Sequence, residues 1–197
     1  MRAAQTIPKR DQIIEAAARL VHLKGFHRTS VDDILEAAEA GKGQFYHYFK
    51  SKEEIGLAIV DRAAARMRST LLERLEEGQG LEAIEWMLDC LVKTAMQAQC
   101  GGGCPLGNLA AEMSDHHEAF RRKLALIFES WRGVVEQTLK MPQARGQIRP
   151  DVGVESLSFL VLSTIEGGIL LAKVERDVRA MEHSFEGLKG CLERLRL

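Results

Sequence analysis

The chain holds little that would interrupt a helix. It has four prolines in 197 residues, and proline is what most firmly ends or kinks a helical run. Internal repeats and low-complexity segments are missing as well. An excess of charge of one sign is also lacking: 27 Lys and Arg face 28 Asp and Glu, a formal net charge of −1. That excludes a generally basic coat for nucleic acid. Four cysteines without secretory context read as thiols, not as a disulfide framework. Residues 1–10 offer no apolar core for a signal peptide. The most apolar run, residues 157–172, contains Glu166 and two glycines and reads as too short to span a bilayer. No membrane partner and a cytoplasmic location are therefore expected. No cofactor motif appears, so no cofactor is assigned, and no nucleophile, base and orienting group stand at a catalytic spacing.

The informative stretch runs over residues 28–52, RTSVDDILEAAEAGKGQFYHYFKSK. It reads as two short helices joined by a tight turn. Thr29 and Ser30 offer N-cap hydroxyls, and Ser30 with Asp33 forms a capping-box pattern. Ile34, Leu35 and Ala38 make one apolar face. Glu39, Ala40 and Gly41 make the turn. On the second helix Phe45, Tyr48 and Phe49 fall at i, i+3 and i+4 and share the buried face. Gly43 and His47 then point the opposite way, with Gln44 and Tyr46 on the flanks. Lys42 suits a phosphate, Gln44 a base edge and Tyr46 the backbone, and Gly43 lets the helix come close. The stretch reads as a DNA-binding helix-turn-helix with residues 42–48 as recognition helix. Through Lys50 eight Lys and Arg face six Asp and Glu, a net +2, and the remainder carries −3. Affinity should come from a few placed contacts, doubled in a dimer.

Residues 29–54, TSVDDILEAAEAGKGQFYHYFKSKEE, resemble the N-terminal domain of the TetR family of bacterial transcriptional regulators. The shared pattern is a Thr-rich start, a DIL-AA helix, a Lys-Gly pair, an aromatic run ending in Phe, then SKE, and it covers roughly the first sixty residues. Glu39 stands where many members carry Gly, although a φ above zero costs a non-Gly residue roughly 1 kcal/mol. A branch that senses electrophiles, the N-ethylmaleimide-reductase repressor-like regulators, tolerates Ala-Glu there. GGGCPLGNLAAE, residues 101–112, and LLAKVER, residues 170–176, also resemble that branch. The resemblance places Cys104 on its sensing cysteine and Lys173 on a lysine of that branch.

The rest of the chain completes an all-α fold of about nine helices. Residues 1–52 are the expected helix-turn-helix domain. Residues 53–197 are the expected ligand-sensing and dimerisation domain. Helices are expected over 9–24, 52–77, 81–99, 109–113, 116–139, 152–174 and 181–195, with 1–8 as an arm and 141–150 as a loop. Gly78, Gln79 and Gly80 break the chain. Arg2, Lys9, Arg10, Arg28 and Lys52 join Thr29 as candidate DNA contacts. Lys52 has the added support of backbone amides at a helix N-terminus.

Leu157, Leu160, Val161, Ile165, Gly168 and Ile169 spread apolar groups around one helix and are the expected dimer surface. Two recognition helices about 34 Å apart then read a palindromic double-stranded operator. Trp86, Met87, Met96, Phe120, Phe128, Trp131 and Phe159 supply surface for a cavity that takes a small-molecule inducer. Core packing is the competing reading for each. Cys104, at a loop-to-helix junction, would gain thiolate character from nearby amides and from Lys173, with Cys100 as resolving thiol. A small hydrophobe at a tight corner is the alternative. A metal site from Cys100, Cys104, His116 and His117 is disfavoured, because adjacent helical histidines diverge by about 100°. The sequence thus describes a homodimeric repressor of the bacterial nucleoid, released by a small molecule or a thiol-reactive electrophile. A helical thiol enzyme using Cys104, His116 and Glu112 is the other class.

Overall fold

A computed structural model describes residues 7–77 and 80–197. Arg2, most of the expected arm, Gly78 and Gln79 lie outside the described residues. Within them the chain forms nine helices and no strand, with one isolated bridge pairing Ile148 and Arg196. The head comprises α1 (Lys9–Lys24), α2 (Val31–Ala37) and α3 (Lys42–Tyr48). Helix α4 starts as Lys52–Met67, passes through a π-helical turn, Arg68–Leu72, and ends as Glu73–Glu77. The body adds α5 (Leu81–Gln97), α6 (Pro105–Met113), α7 (Glu118–Ala144), α8 (Val154–Glu175) and α9 (Arg179–Glu193).

Local chemistry explains most of the helix starts. The Ser30 hydroxyl accepts from the Asp33 amide at 3.0 Å, and the Asp33 carboxylate accepts from the Ser30 amide at 2.7 Å. That reciprocal pair is the capping box. Ser51 accepts from the Glu54 amide and opens α4. Gly25 closes α1 at φ 87°. The α2–α3 turn puts Glu39 at φ 49°, as its place in the turn requires. Lys9 fastens that turn: its ammonium donates to the carbonyls of Ala38 and Glu39, each at 2.9 Å. Lys9 is therefore engaged within the head, not free for phosphate as expected.

Three boundaries differ from the sequence reading. Helix α6 starts at Pro105, because proline at the first helical position has no N–H to lose. Cys104 is its N-cap, with the sulfur accepting from the Gly107 amide at 3.3 Å. Asn108 lies inside α6 and donates to the Gly102 carbonyl. Helix α7 runs on through buried Pro142 to Ala144, where a loop was expected. Helix α8 starts after Gly153, and Asp151 pairs with Arg149 instead of capping it.

Helix α8 is also longer than residues 157–172 suggested. It has 22 residues, and its most apolar 18-residue stretch has a mean hydropathy of 1.7, enough by length and composition to cross a bilayer. Its packing is that of a bundle helix. Leu157, Val161, Ile165, Gly168 and Ala172 are buried, and α8 packs against both α7 and α9. Gly168 permits the close approach of α9: a Cβ there would lie 3.0 Å from the Phe185 ring.

Candidate nucleic-acid interface and ligand cavity

Helix α3 is anchored by Phe45, which is fully buried, and by Phe49 just beyond its end, at 1 % exposure. Lys42, Gly43, Gln44, Tyr46 and His47 are all exposed. Gly41 and Gly43 meet nothing within 4 Å, so a groove wall can approach the start of α3 closely. Lys42 forms an exposed ion pair with Asp32 at 3.2 Å, a contact weak enough to yield to a phosphate. Gln44 uses its Oε1 to accept from the Gly41 amide at 3.1 Å. Its side chain thus caps its own helix, and the Nε2 donors remain for a base edge. Arg28 is exposed. Lys52 donates to the His27 carbonyl at 3.3 Å and lies over the Phe26 ring. Two of its three N–H donors remain.

Thr29 departs from the expected contact set. It is completely buried, and its hydroxyl donates to the Gly25 carbonyl at 2.8 Å. It holds the α1–α2 turn instead of facing a groove.

The head is fastened to the body by a residue that sequence reasoning considered only as a catalytic group. The Glu112 carboxylate, on α6, accepts from the amides of Phe26 at 2.8 Å and His27 at 2.7 Å. Phe26 packs edge-on against Phe120 of α7, with ring centroids 5.4 Å apart. Gly56 of α4 makes room for both rings: a Cβ there would come within 2.6 Å of each. Phe120 is therefore part of this junction and not of a cavity.

A cavity of about 30 Å³ lies in the body. Met67 lines it from just before the π-helical turn of α4, Leu71 and Leu72 from that turn, Met87 and Leu91 from α5, and Trp131 and Val135 from α7. Leu162, Ile165, Glu166 and Ile169 line it from α8. Of the expected residues Met87 and Trp131 line it. Met96 is 56 % exposed, and Phe159 is on the surface with the Arg132 guanidinium 3.8 Å from its ring centre. Trp86 carries the Arg74 guanidinium on its face, and Phe128 stacks edge-on against Trp131. Trp86 and Met96 miss the cavity because they fall about 100° and 180° around α5 from Met87, which lines it.

Cys104 sits beside Glu166, and its surroundings reverse the expected thiolate chemistry. The thiol is buried. Burial first, and the neighbouring Glu166 carboxyl second, push its pKa up to about 12. The expected cation is close but otherwise engaged. Lys173 passes the Gly103 corner and donates to Asn108 Oδ1 at 3.2 Å. Cys100 is buried too. His116 meets the His27 ring and His117 precedes α7. No group of three or more His, Cys, Asp or Glu is placed to hold a metal among the described residues.

Of the six expected dimer residues Leu160 alone lies open on α8, and the other five turn into the protomer. Leu157, Val161 and Gly168 are buried within the protomer, and Ile165 and Ile169 line the cavity. Leu160, Leu170, Leu171 and Val174 are exposed, Val174 at 70 %. Gly167 on α8 and Gly187 and Gly190 on α9 meet nothing within 4 Å. The open apolar stripe thus runs along Leu160, Gly167, Leu171 and Val174.

Comparison with known proteins agrees with this architecture. The family described as "Bacterial regulatory proteins, tetR family" matches residues 13–59. The family described as "Tetracyclin repressor-like, C-terminal domain" matches residues 80–188. An uncharacterized HTH-type transcriptional regulator of Lactococcus lactis is 30 % identical over 94 % of each chain. The crystal structure of a TetR transcriptional regulator from Chloroflexus aurantiacus aligns with a TM-score of 0.86 at 29 % identity, over 96 % of each chain. Reduced NemR of E. coli aligns with a TM-score of 0.84 over 93 % of this chain and 97 % of that one. At 23 % identity that likeness speaks for the fold alone. A head that presents α3, joined to a helical body, is the arrangement these matches share, and the chain belongs to the TetR family of DNA-binding transcriptional regulators.

Proposed function

We propose that the chain is a homodimeric repressor that binds a palindromic operator and leaves it when a small molecule occupies the body cavity. The observation that carries this reading is the division of α3, with Phe45 buried beneath an exposed set of Lys42, Gly43, Gln44, Tyr46 and His47. Arg28 and Lys52 complete the DNA contacts, and Thr29 does not take part. The open stripe on α8, with Gly187 and Gly190 of α9, is the surface a second copy covers. Ligand release requires differential affinity: the inducer must favour a state whose recognition helices no longer match the groove spacing. Helix α4 supports such coupling, because it contributes Gly56 to the head junction and Leu71 and Leu72 to the cavity wall. Such a regulator works in the bacterial cytoplasm, at the nucleoid.

Release by electrophiles is the second reading, supported by Lys173 passing beside the Gly103–Cys104 corner. It requires an opening that exposes Cys104 and lowers its pKa from about 12. Cys104→Ser would then keep DNA binding and lose release by an alkylator.

Fluorescence anisotropy with DNA from upstream of the protein's own gene tests the main reading. Salt-sensitive, sequence-selective binding is expected. Gln44→Ala or His47→Ala should relax base preference. Lys42→Ala or Lys52→Ala should weaken every site and reduce the salt slope by about 1. Equal losses on all sequences from all four would contradict the assigned roles.

A further inference from the structure

We infer that Gln44 reads a guanine in each operator half-site, acting as a donor only, because the oxygen of its amide is committed to its own helix. This deepens the operator reading above and rests on it.

Helix α3 starts at Gly41, an N-cap residue with no side chain of its own to cap the first turn. The Gly41 amide finds a side-chain acceptor in Gln44 Oε1 at 3.1 Å. That bond fixes which way round the Gln44 amide lies, since an N–H can face the oxygen and not the NH₂. It also folds the side chain back over the first turn of α3. Gln44 is exposed, and its Nε2 has no partner among the described residues. Gly41 and Gly43 meet nothing within 4 Å. The free Nε2 hydrogens therefore belong to the end of α3 that a groove floor can approach most closely. Lys42, the other side-chain donor at this end, is drawn to Asp32 of α2 at 3.2 Å.

The chemistry of the major-groove edges then separates the bases. A glutamine with both halves free pairs with adenine, donating to N7 and accepting from N6. Gln44 could do so only by withdrawing Oε1 from the Gly41 amide, which would be left without an acceptor beneath a surface that excludes water. With Oε1 kept in place, adenine offers one acceptor beside a competing donor. Cytosine offers only a donor, and thymine offers O4 beside a methyl group. Guanine presents two acceptors, O6 and N7, and no donor. Recognition helices bring their N-terminal residues to the base edges, and Gln44 stands in the first turn of α3. The cap at Gly41 thus converts a residue that ordinarily suits adenine into one that suits guanine.

Selection from a random duplex library tests this on the full chain. The native pool should hold guanine at one symmetry-related position in each half-site. Gln44→Met should erase the preference at that position and keep the others. Gln44→Glu retains an oxygen for the Gly41 amide and exchanges the donors for a second acceptor. Its pool should carry cytosine at the same position, because a carboxylate accepts from N4. Circular dichroism checks that both variants keep their helicity. A readout on the native chain needs no variant: deleting N7 with 7-deazaguanine, or O6 with 2-aminopurine, in one half-site should weaken binding about fivefold for at least one of the two. Any other base at the position that Gln44→Met releases overturns the assignment. So does a Gln44→Met pool identical to the native one, a Gln44→Glu pool that keeps guanine, or native binding indifferent to both analogues. A native pool that enriches no sequence sinks the operator reading itself.

Discussion

Glu39 sits at φ 49° between α2 and α3, a conformation that costs a side chain roughly 1–2 kcal/mol. Its carbonyl and that of Ala38 are clasped by Lys9, which keeps the turn in place. Glu39→Gly should therefore raise the thermal midpoint, by roughly 2–4 °C for each kcal/mol recovered. Calorimetry that shows no rise would mean the turn relaxes around Glu39. The position was legible because the family pattern carries Gly there. His22 was not legible, since nothing local distinguishes it from a surface helix residue. Burial, and secondarily Lys173, lower its pKa from 6.5. The unfolded chain then binds the proton first as pH falls. Stability from neutral His22 is present above pH 6.5 and is lost on acidification toward the lower folded value. Glu166, whose pKa is raised chiefly by burial, acts oppositely: its contribution is fully present below pH 4.5 and fades as pH rises through its folded value. Comparison with His22→Gln isolates the histidine. The native midpoint should fall more steeply between about pH 7 and 5.5 than that of the variant.

At the scale of elements, helix starts were readable where a serine cap and its acidic partner lie three residues apart. Ser30 with Asp33 and Ser51 with Glu54 are such cases. The core face of α3 was readable from the spacing of Phe45, Tyr48 and Phe49. Long-range partners were not. Glu112 caps two amides more than eighty residues away, and no local pattern announces that. The phase of α8 was missed for a related reason. A helix apolar nearly all round does not declare which side meets α9, which lines a cavity and which remains open. Pro142 misled because it cannot donate to the Thr138 carbonyl, and the Gly80 amide, distant in sequence, takes that acceptor instead. The Glu112 clasp gives a prediction at this scale. Glu112→Ala should destabilise the protein by about 2 kcal/mol. Amide exchange should accelerate first at Phe26 and His27. Unchanged protection there would show that Phe26, Phe120 and Gly56 hold the junction unaided.

For the whole molecule, the exposed stripe on α8 is the feature that one chain leaves unfinished. Leu170, Leu171 and Val174 lie open beside glycines that nothing approaches. Leu171→Glu should turn the sedimenting species from dimer to monomer and abolish operator binding with helicity retained. A dimer that persists would move the interface elsewhere.

The π-helical turn at Arg68–Leu72 closes with the Glu73 amide donating to the Arg68 carbonyl, five residues back. The Ser69 and Thr70 hydroxyls both lean on the Arg66 carbonyl beside it. Such a turn carries one residue beyond what ordinary winding needs. That surplus works as a removable washer in a long shaft. Omitting Ser69 would let ordinary winding resume, with the Gly56 end and the Leu75 end keeping their present facing. The shaft therefore has a built-in place to tighten, and it lies against the wall of the apolar cavity in the body.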